Sequence, residues 1–335
     1  MALRLSDHWV WDIWPADDGE YFHLFFLRAS RALHDPDRRH LRATVGHARS
    51  RDLRDWELLP DALVPADAPA WDDQATWTGS VVHDGERWRM FYTGVSRADR
   101  ALVQRVGSAV SDDLITWHRT GEGPLAEADP RWYEKLDSRA WMDEAWRDPW
   151  VFPDPGGDGW HMLVTARSNS GPADDRGVVG HLRSDDLDHW TPRPPLPVKG
   201  GFQGSEGVGG GFGHLEVTQV EIVDGRPLLL FCSMPNELSA ARRATAPRGN
   251  VWSAPGDGLL GPFDLAAATP FDHPSLYSGR LVRDRTGQWV LLGFLNVDGS
   301  GSFVGEICDP IPVRNDPDLG LVRAQVSVPA GAGGH

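Results

Sequence analysis

The sequence predicts an all-β protein: a single five-bladed β-propeller built from four-stranded antiparallel blades. Three observations carry this. The 335 residues include 37 Gly and 26 Pro set between many short apolar runs, the punctuation of tight turns rather than of long helices. An Asp-Gly or Thr-Gly step followed by β-formers recurs at Gly19, Gly85, Gly159, Gly225 and Gly287, at intervals of 66, 74, 66 and 62 residues. A Ser-x-Asp-Leu-x-x-Trp segment ends at Trp56, Trp117 and Trp190, 37, 32 and 31 residues after the glycine of its own copy.

Each part of the repeat has a local reason. Asp-Gly between apolar runs is a hairpin, because Gly accepts positive φ without strain. One strand precedes it and one follows. A connection then leads to a third strand, the Ser-x-Asp-Leu-x-x-Trp turn and a fourth strand. The turn Ser and Asp are expected to bond local backbone N–H groups, and the Trp to wedge between blades. Leu259-Leu260-Gly261-Pro262-Phe263 is a degenerate fourth copy, and the fifth is not recognisable. A blade cannot bury both faces alone, so the copies must pack against one another as a ring. The propeller is assigned to residues 1–327, and a frayed tail rich in Pro, Gly and Ala to 328–335.

Composition narrows the function. The net charge of −15 argues against nucleic acid or an anionic membrane as partner. No apolar run approaches the ~18 residues of a membrane span. The opening residues show no apolar signal-peptide core. Two cysteines, Cys232 and Cys308, cannot build a disulfide framework, so the expected setting is cytoplasmic. The 13 His show no metal-ligand spacing, and neither a metal nor another cofactor is expected. The run Gly200–Gly213 lacks Gly-Lys-Ser/Thr, so it is no phosphate loop. It is expected to be a mobile loop beside the fourth inner strand, in the position of a lid.

The inner strands of the propeller lie just before each hairpin glycine. They carry Asp12, the segment Trp77–Ser80, Asp148, Glu216 and Tyr277. An unpaired charge on an inner strand is costly, and three converging carboxylates push one another's proton affinities apart. Two carboxylates flanking a bond are what glycoside hydrolysis uses. Most of the 16 Trp belong in the core. Trp11, Trp14, Trp77, Trp146 and Trp150 flank the carboxylates and offer flat apolar faces to a sugar ring. Bland readings stand beside these: Asp12 as a turn cap, Asp148 as a turn residue before Pro149, and Asp143 and Glu144 as loop charges, with reach into the site the alternative for Glu144. Glu221 competes with Glu216, but strand parity points it away from the channel.

Trp11-Asp12-Ile13-Trp14-Pro15, Trp77-Thr78-Gly79-Ser80, Arg147-Asp148-Pro149 and Glu216-Val217-Thr218-Gln219 fall in order on blades 1 to 4. In this the chain resembles the clan of furanosidases formed by glycoside hydrolase families 32 and 68, the invertases, inulinases, levanases and levansucrases. The form Trp-Asp-x-Trp-Pro is the closer to family 68. The resemblance implies Asp12 as nucleophile, Glu216 as general acid/base, and Asp148 as the carboxylate that holds sugar hydroxyls at the transition state. It implies that Arg147 orients a carboxylate or hydroxyl, and that Trp11, Trp14, Trp77, Ser80, Gln219 and Tyr277 bind the sugar. Two departures stand out. Glu216 is not followed by the Arg-Pro or Cys-Pro usual there, and the C-terminal β-sandwich of family 32 is expected to be absent.

The activity so implied is a retaining β-fructofuranosidase acting on sucrose or a short fructo-oligosaccharide. A fructosyl-enzyme on Asp12 would pass to water or to a second sugar. An inverting arabinofuranosidase of the family 43 type places Asp, Asp and Glu on the same strands and is the first alternative. A non-catalytic sugar-binding or interaction propeller is the second, since fold does not dictate function.

Overall fold

The computed structural model describes residues 3–138, 141–200, 210–246 and 249–325. The expected tail, and most of the expected lid (201–209), lie outside the described residues. Five antiparallel sheets form in chain order, each with its first strand innermost. Blade 1 is His8–Asp17, Phe22–Ser30, Thr44–Ser50 and Glu57–Leu63. Blade 2 is Ala75–His83, Trp88–Val95, Gln104–Ser111 and His118–Thr120. Blade 3 is Trp146–Pro153, Trp160–Arg167, Gly177–Ser184 and Thr191–Arg193. Blade 4 is Glu216–Val223, Arg226–Cys232, Val251–Pro255 and the short Thr269–Pro270. No described helix is long and apolar enough to cross a membrane.

Blade 5 explains why its repeat was unreadable. Its inner pair is Leu276–Arg283 and Trp289–Val297, and Gly320–Arg323 is outermost. The third position is split into Phe303–Ile307 and Ile311–Asp316, which pair with different stretches of Trp289–Val297. Pro310 sits in the break, and a proline cannot donate to a ladder.

The recurring turn behaves as its residues require. Asp52, Asp113 and Asp186 each accept two backbone N–H groups through Oδ1, from residues two and three further on, at 2.7–2.9 Å. Ser50, Ser111 and Ser184 also bond that same oxygen. The leucines that follow take left-handed backbone, with φ of 62°, 62° and 65° at Leu53, Leu114 and Leu187, and all three are buried. The chain thereby turns back while driving an apolar side chain into the core. Trp117 of blade 2 then packs edge-on against Phe25 of blade 1, and Trp190 of blade 3 against Phe91 of blade 2. These are the wedges between blades.

The ring closes through backbone. Leu3 and Ile307 exchange both N–H···O bonds at 3.1 Å, so the first described residue is tied to the third strand of blade 5. Arg285 of blade 5 also meets Asp17 of blade 1 at 2.6 Å.

The turn can be tested alone. Asp113→Ala removes two backbone acceptor contacts and is expected to lower the unfolding free energy by about 1–2 kcal/mol in urea titration.

Candidate active site

All five inner strands slip register by one residue at the same height. The slips fall between Trp11 and Ile13, Trp77 and Gly79, Arg147 and Trp150, Glu216 and Gln219, and Tyr277 and Arg280. A bulge of this kind bends the strand and re-aims its side chains. Asp12, Thr78, Asp148, Val217 and Ser278 are thus equivalent residues of five blades. Four of them have positive φ: 35° at Asp12, 59° at Asp148, 53° at Val217 and 50° at Ser278. Non-glycine residues held there cost roughly 1–3 kcal/mol each, and such strain gathers at functional sites.

Two rings of side chains result. Side-chain hydroxyls brace the bulge ring. Thr78 Oγ1 donates to Asp12 Oδ2 at 2.8 Å, and Thr165 Oγ1 to Asp148 Oδ2 at 2.8 Å. Ser278 Oγ accepts from the Ile13 amide at 3.3 Å. The ring nearer the mouth is Trp11, Trp77, Arg147, Glu216 and Tyr277. Here Arg147 Nη2 and the Tyr277 hydroxyl donate to the two oxygens of Glu216. Arg147 Nη1 also donates to Gln104 Oε1 at 2.8 Å, and Gln104 Nε2 donates to Asp143 Oδ2 at 2.8 Å.

Both rings open on one cavity of about 360 Å³. Asp12, Asp148, Glu216, Trp11, Trp77, Arg147 and Tyr277 all line it. Three of the expected sugar-binding residues do not. Trp14, Ser80 and Gln219 lie one step below the bulges and are 0%, 1% and 1% exposed. The slip, which strict alternation from the motif ignores, turns Ser80 and Gln219 into joints between blades and leaves Trp14 packed within blade 1. Ser80 Oγ accepts from the Val151 amide of blade 3 at 3.1 Å. Gln219 accepts from the Leu281 amide of blade 5 at 2.8 Å and donates to its carbonyl at 3.0 Å. Trp14 stacks on Phe25. Trp146 is buried against Tyr133, and Trp150 lies beside Arg280; neither lines the cavity. Glu221 is also outside it and accepts from Gln219.

Sequence reasoning missed several lining residues. Arg39 and His40 arrive on the 3₁₀ turn Pro36–Arg42, where the His40 carbonyl fixes Trp77 Nε1 at 2.7 Å. Trp141, Asp143 and Gln104 come from loop and strand ends of blades 2 and 3, and His214, Met234 and Glu237 from blade 4. The sequence reads both Asp143 and Glu144 as loop charges and offers Glu144 as the one in reach of the site; the structure reverses the two. Asp143 reaches the cavity, whereas Glu144 is buried against Lys135 and the Leu136 amide.

The electrostatics follow from burial. Burial, then the charge of Asp148, push the Asp12 carboxyl up to about 7 against the pull of Thr78. Burial also raises Asp148, opposed by Arg147. Burial raises Glu237 to about 8, reinforced by Glu216. Burial works against the Arg147 charge, but Glu216, Asp143 and Asp148 outweigh it and hold the guanidinium charged. Burial beside Arg147 keeps His214 neutral. His214, Glu216 and Glu237 bring ligand-type atoms within 4.8 Å of one another. Yet Arg147 Nη2 stands 3.3 Å from His214 Nδ1 and bonds Glu216, so a guanidinium already supplies the positive charge that a metal would bring.

Asp12, Asp148 and Glu216 thus open on one cavity at the centre of a five-bladed ring. The family model "Glycosyl hydrolases family 32 N-terminal domain" matches residues 15–211, and the chain belongs to glycosyl hydrolase family 32. The family 68 form of the first motif lies at the edge of that match. Trp77, Arg147 and Asp148 fall inside it, while Asp12 and Glu216 stand outside it. An insoluble isoenzyme of β-fructofuranosidase from Arabidopsis thaliana is 29% identical over 186 residues, 53% of this chain and 30% of that one. A sucrose-6-phosphate hydrolase from Zymomonas mobilis is 30% identical over 149 residues, 43% of this chain and 26% of that one. The chain thus matches less than a third of the length of these curated relatives. Among solved structures, an inulosucrase from Halalkalicoccus jeotgali bound to kestose superposes with a TM-score of 0.74 at 23% identity, covering 96% of this chain and 90% of that one. A levansucrase from Gluconacetobacter diazotrophicus gives 0.69 at 18%, covering 95% and 81%. At these identities the two structures speak for the fold.

The buried Asp12 carboxyl makes a stability prediction. Its folded value of about 7 lies above the ordinary 3.8, so the folded state binds the extra proton and stability falls as pH rises between the two values. Asp12→Asn, which cannot ionise, is expected to melt about 2–4 °C higher than the parent at pH 7. The gain should vanish below pH 4, as read by calorimetry at both pH values.

Proposed function

We propose that the chain cleaves β-fructofuranosides with retention of configuration. The supporting observation is that Asp12 of blade 1 and Glu216 of blade 4 open on the same cavity, whose wall carries Asp148 and the rings of Trp11, Trp77 and Trp141. Asp12 Oδ2 is held by Thr78, which leaves Oδ1 to attack the anomeric carbon. As that C–O bond forms, the glycosidic C–O bond breaks and Glu216 gives its proton to the leaving oxygen. Glu216 then takes a proton from water, or from a hydroxyl of a second sugar, as that oxygen displaces Asp12. Asp148 has Oδ2 engaged by Thr165 and, more weakly, by the Val217 amide at 3.4 Å. Its other oxygen is available to sugar hydroxyls, whose bonds strengthen as charge builds on the ring. Trp11 and Trp77 supply the flat walls.

The substrate is uncharged in this reading. The lining sets Asp12, Asp143, Asp148, Glu216 and Glu237 against Arg39 and Arg147. An excess of carboxylates repels a sugar phosphate and leaves a neutral sugar unaffected. Sucrose and short fructo-oligosaccharides are therefore preferred over sucrose 6-phosphate, the substrate named by one group of relatives. A cytoplasmic setting belongs to the same reading: Cys232 and Cys308 are buried, unpaired thiols, which suit a reducing compartment.

Proton NMR of the protein with sucrose, a fructo-oligosaccharide and sucrose 6-phosphate tests this. Fructose appearing first as the β anomer, or as a fructosyl group on a second sugar, is expected, with sucrose 6-phosphate consumed most slowly. Asp12→Ala should lower kcat by at least about 10⁴-fold. Release of the inverted anomer, or consumption of none of the three, would overturn the proposal. The Thr78 contact adds a pH signature. Thr78→Val removes a hydrogen bond that favours ionised Asp12, so the acid limb of kcat/KM should move up by about one pH unit.

A further inference from the structure

The mouth of the cavity holds a second glutamate that the scheme above does not use. Glu237 lies 21 residues after Glu216 in the chain and reaches the same wall. Its place is fixed by backbone. Its Oε2 accepts from the Met234 amide at 2.7 Å, its amide donates to the Met234 carbonyl at 2.9 Å, and its carbonyl accepts from Gly213 at 2.6 Å. The turn is thereby bonded to the segment that leads into Glu216. The two carboxylates and His214 come within 4.8 Å of one another.

Glu216 has a difficulty that this neighbour addresses. Both its oxygens accept hydrogen bonds, from Arg147 on one side and Tyr277 on the other. A guanidinium bonded to a carboxylate favours the ionised form, yet a general acid must carry a proton when the leaving group departs. An adjacent like charge acts in the opposite sense, because two close carboxylates cannot both ionise freely.

We propose that Glu237 is a positioning residue for the proton of Glu216: the two carboxylates retain one proton between them, and this keeps the acid available against the pull of Arg147. The inference rests on the reading of Glu216 as general acid. The groups facing the pair fit it. From blade 3, Arg147 favours ionisation and Asp143 opposes it. On blade 4, His214 is neutral. From blade 5, Tyr277 keeps its hydroxyl proton, held there by burial and by the charge of Glu216. Asp12 and Asp148, deeper in the channel, are both raised by the charge of Glu216. Burial and Glu216 together lift Glu237 to about 8, so the proton stays with the pair through neutral pH.

Glu237→Gln tests the proposal, since the amide oxygen can still accept from Met234. The basic limb of kcat/KM on sucrose should fall by about one pH unit or more. With p-nitrophenyl β-fructofuranoside, whose leaving group departs without a proton, the limb should not move. Glu237→Asp should restore part of the shift. A basic limb unmoved by Glu237→Gln on sucrose, or a uniform loss of kcat at every pH, would overturn the proposal. A readout free of turnover separates this from failure of the fructosidase reading. In carbon NMR of protein labelled at the glutamate carboxyls, Glu216→Gln and Glu237→Gln each identify one resonance. In the parent both should titrate in two linked steps, and in each variant the survivor should titrate in one. Independent titrations would overturn the proposal whether or not any fructoside is cleaved.

Discussion

Everything in the channel depends on one geometric constraint, the single-residue slip shared by all five inner strands. In an unbroken strand, neighbouring side chains face opposite ways, and a residue such as Asp12 could enter the channel only by sending Trp11 away from it. The slip lets both Trp11 and Asp12, and both Arg147 and Asp148, line one cavity. The strained backbone at Asp12, Asp148, Val217 and Ser278 is held because each bulge is braced from the next blade. The surrounding sheet ladders over-determine the conformation, and the local cost falls where the chemistry is placed.

The charges are arranged in depth by the same device. The carboxylates of Asp12 and Asp148 share the bulge ring, while Glu216 stands one position nearer the mouth beside Arg147. The three acids thus occupy two levels. Asp12 is the deeper and more isolated group, and Glu216 the more heavily hydrogen-bonded. Two carboxylates in different surroundings can take different protonation states at one pH, which a nucleophile and an acid require.

Much of the fold was legible because its signals are local. Asp-Gly hairpins and the Ser-x-Asp-Leu-x-x-Trp turn carry their backbone preferences within a few residues, and they recur. Asp12, Asp148 and Glu216 were legible as charges on strands that should be apolar. What stayed hidden was register. The bulge residue lies 7, 7, 11, 8 and 9 residues before the hairpin glycine in blades 1 to 5, so aligning the copies on that glycine blurs the ring. Ser80 and Gln219 were misplaced for this reason: a one-residue slip moves a side chain to another job. Arg39, His40 and Glu237 were hidden differently. They come from connections between strands, and nothing in their immediate neighbours records which blade they fold back upon.

Beneath the carboxylates, Arg280 is fully buried and donates to the carbonyls of Val217 and Thr218 at 3.0 and 2.7 Å, and of Ile13 at 3.3 Å. Arg280 stands on blade 5, Val217 and Thr218 on blade 4 and Ile13 on blade 1, so one side chain clasps three blades under the acids. A shift of any one of these blades would be handed to the other two through the same guanidinium.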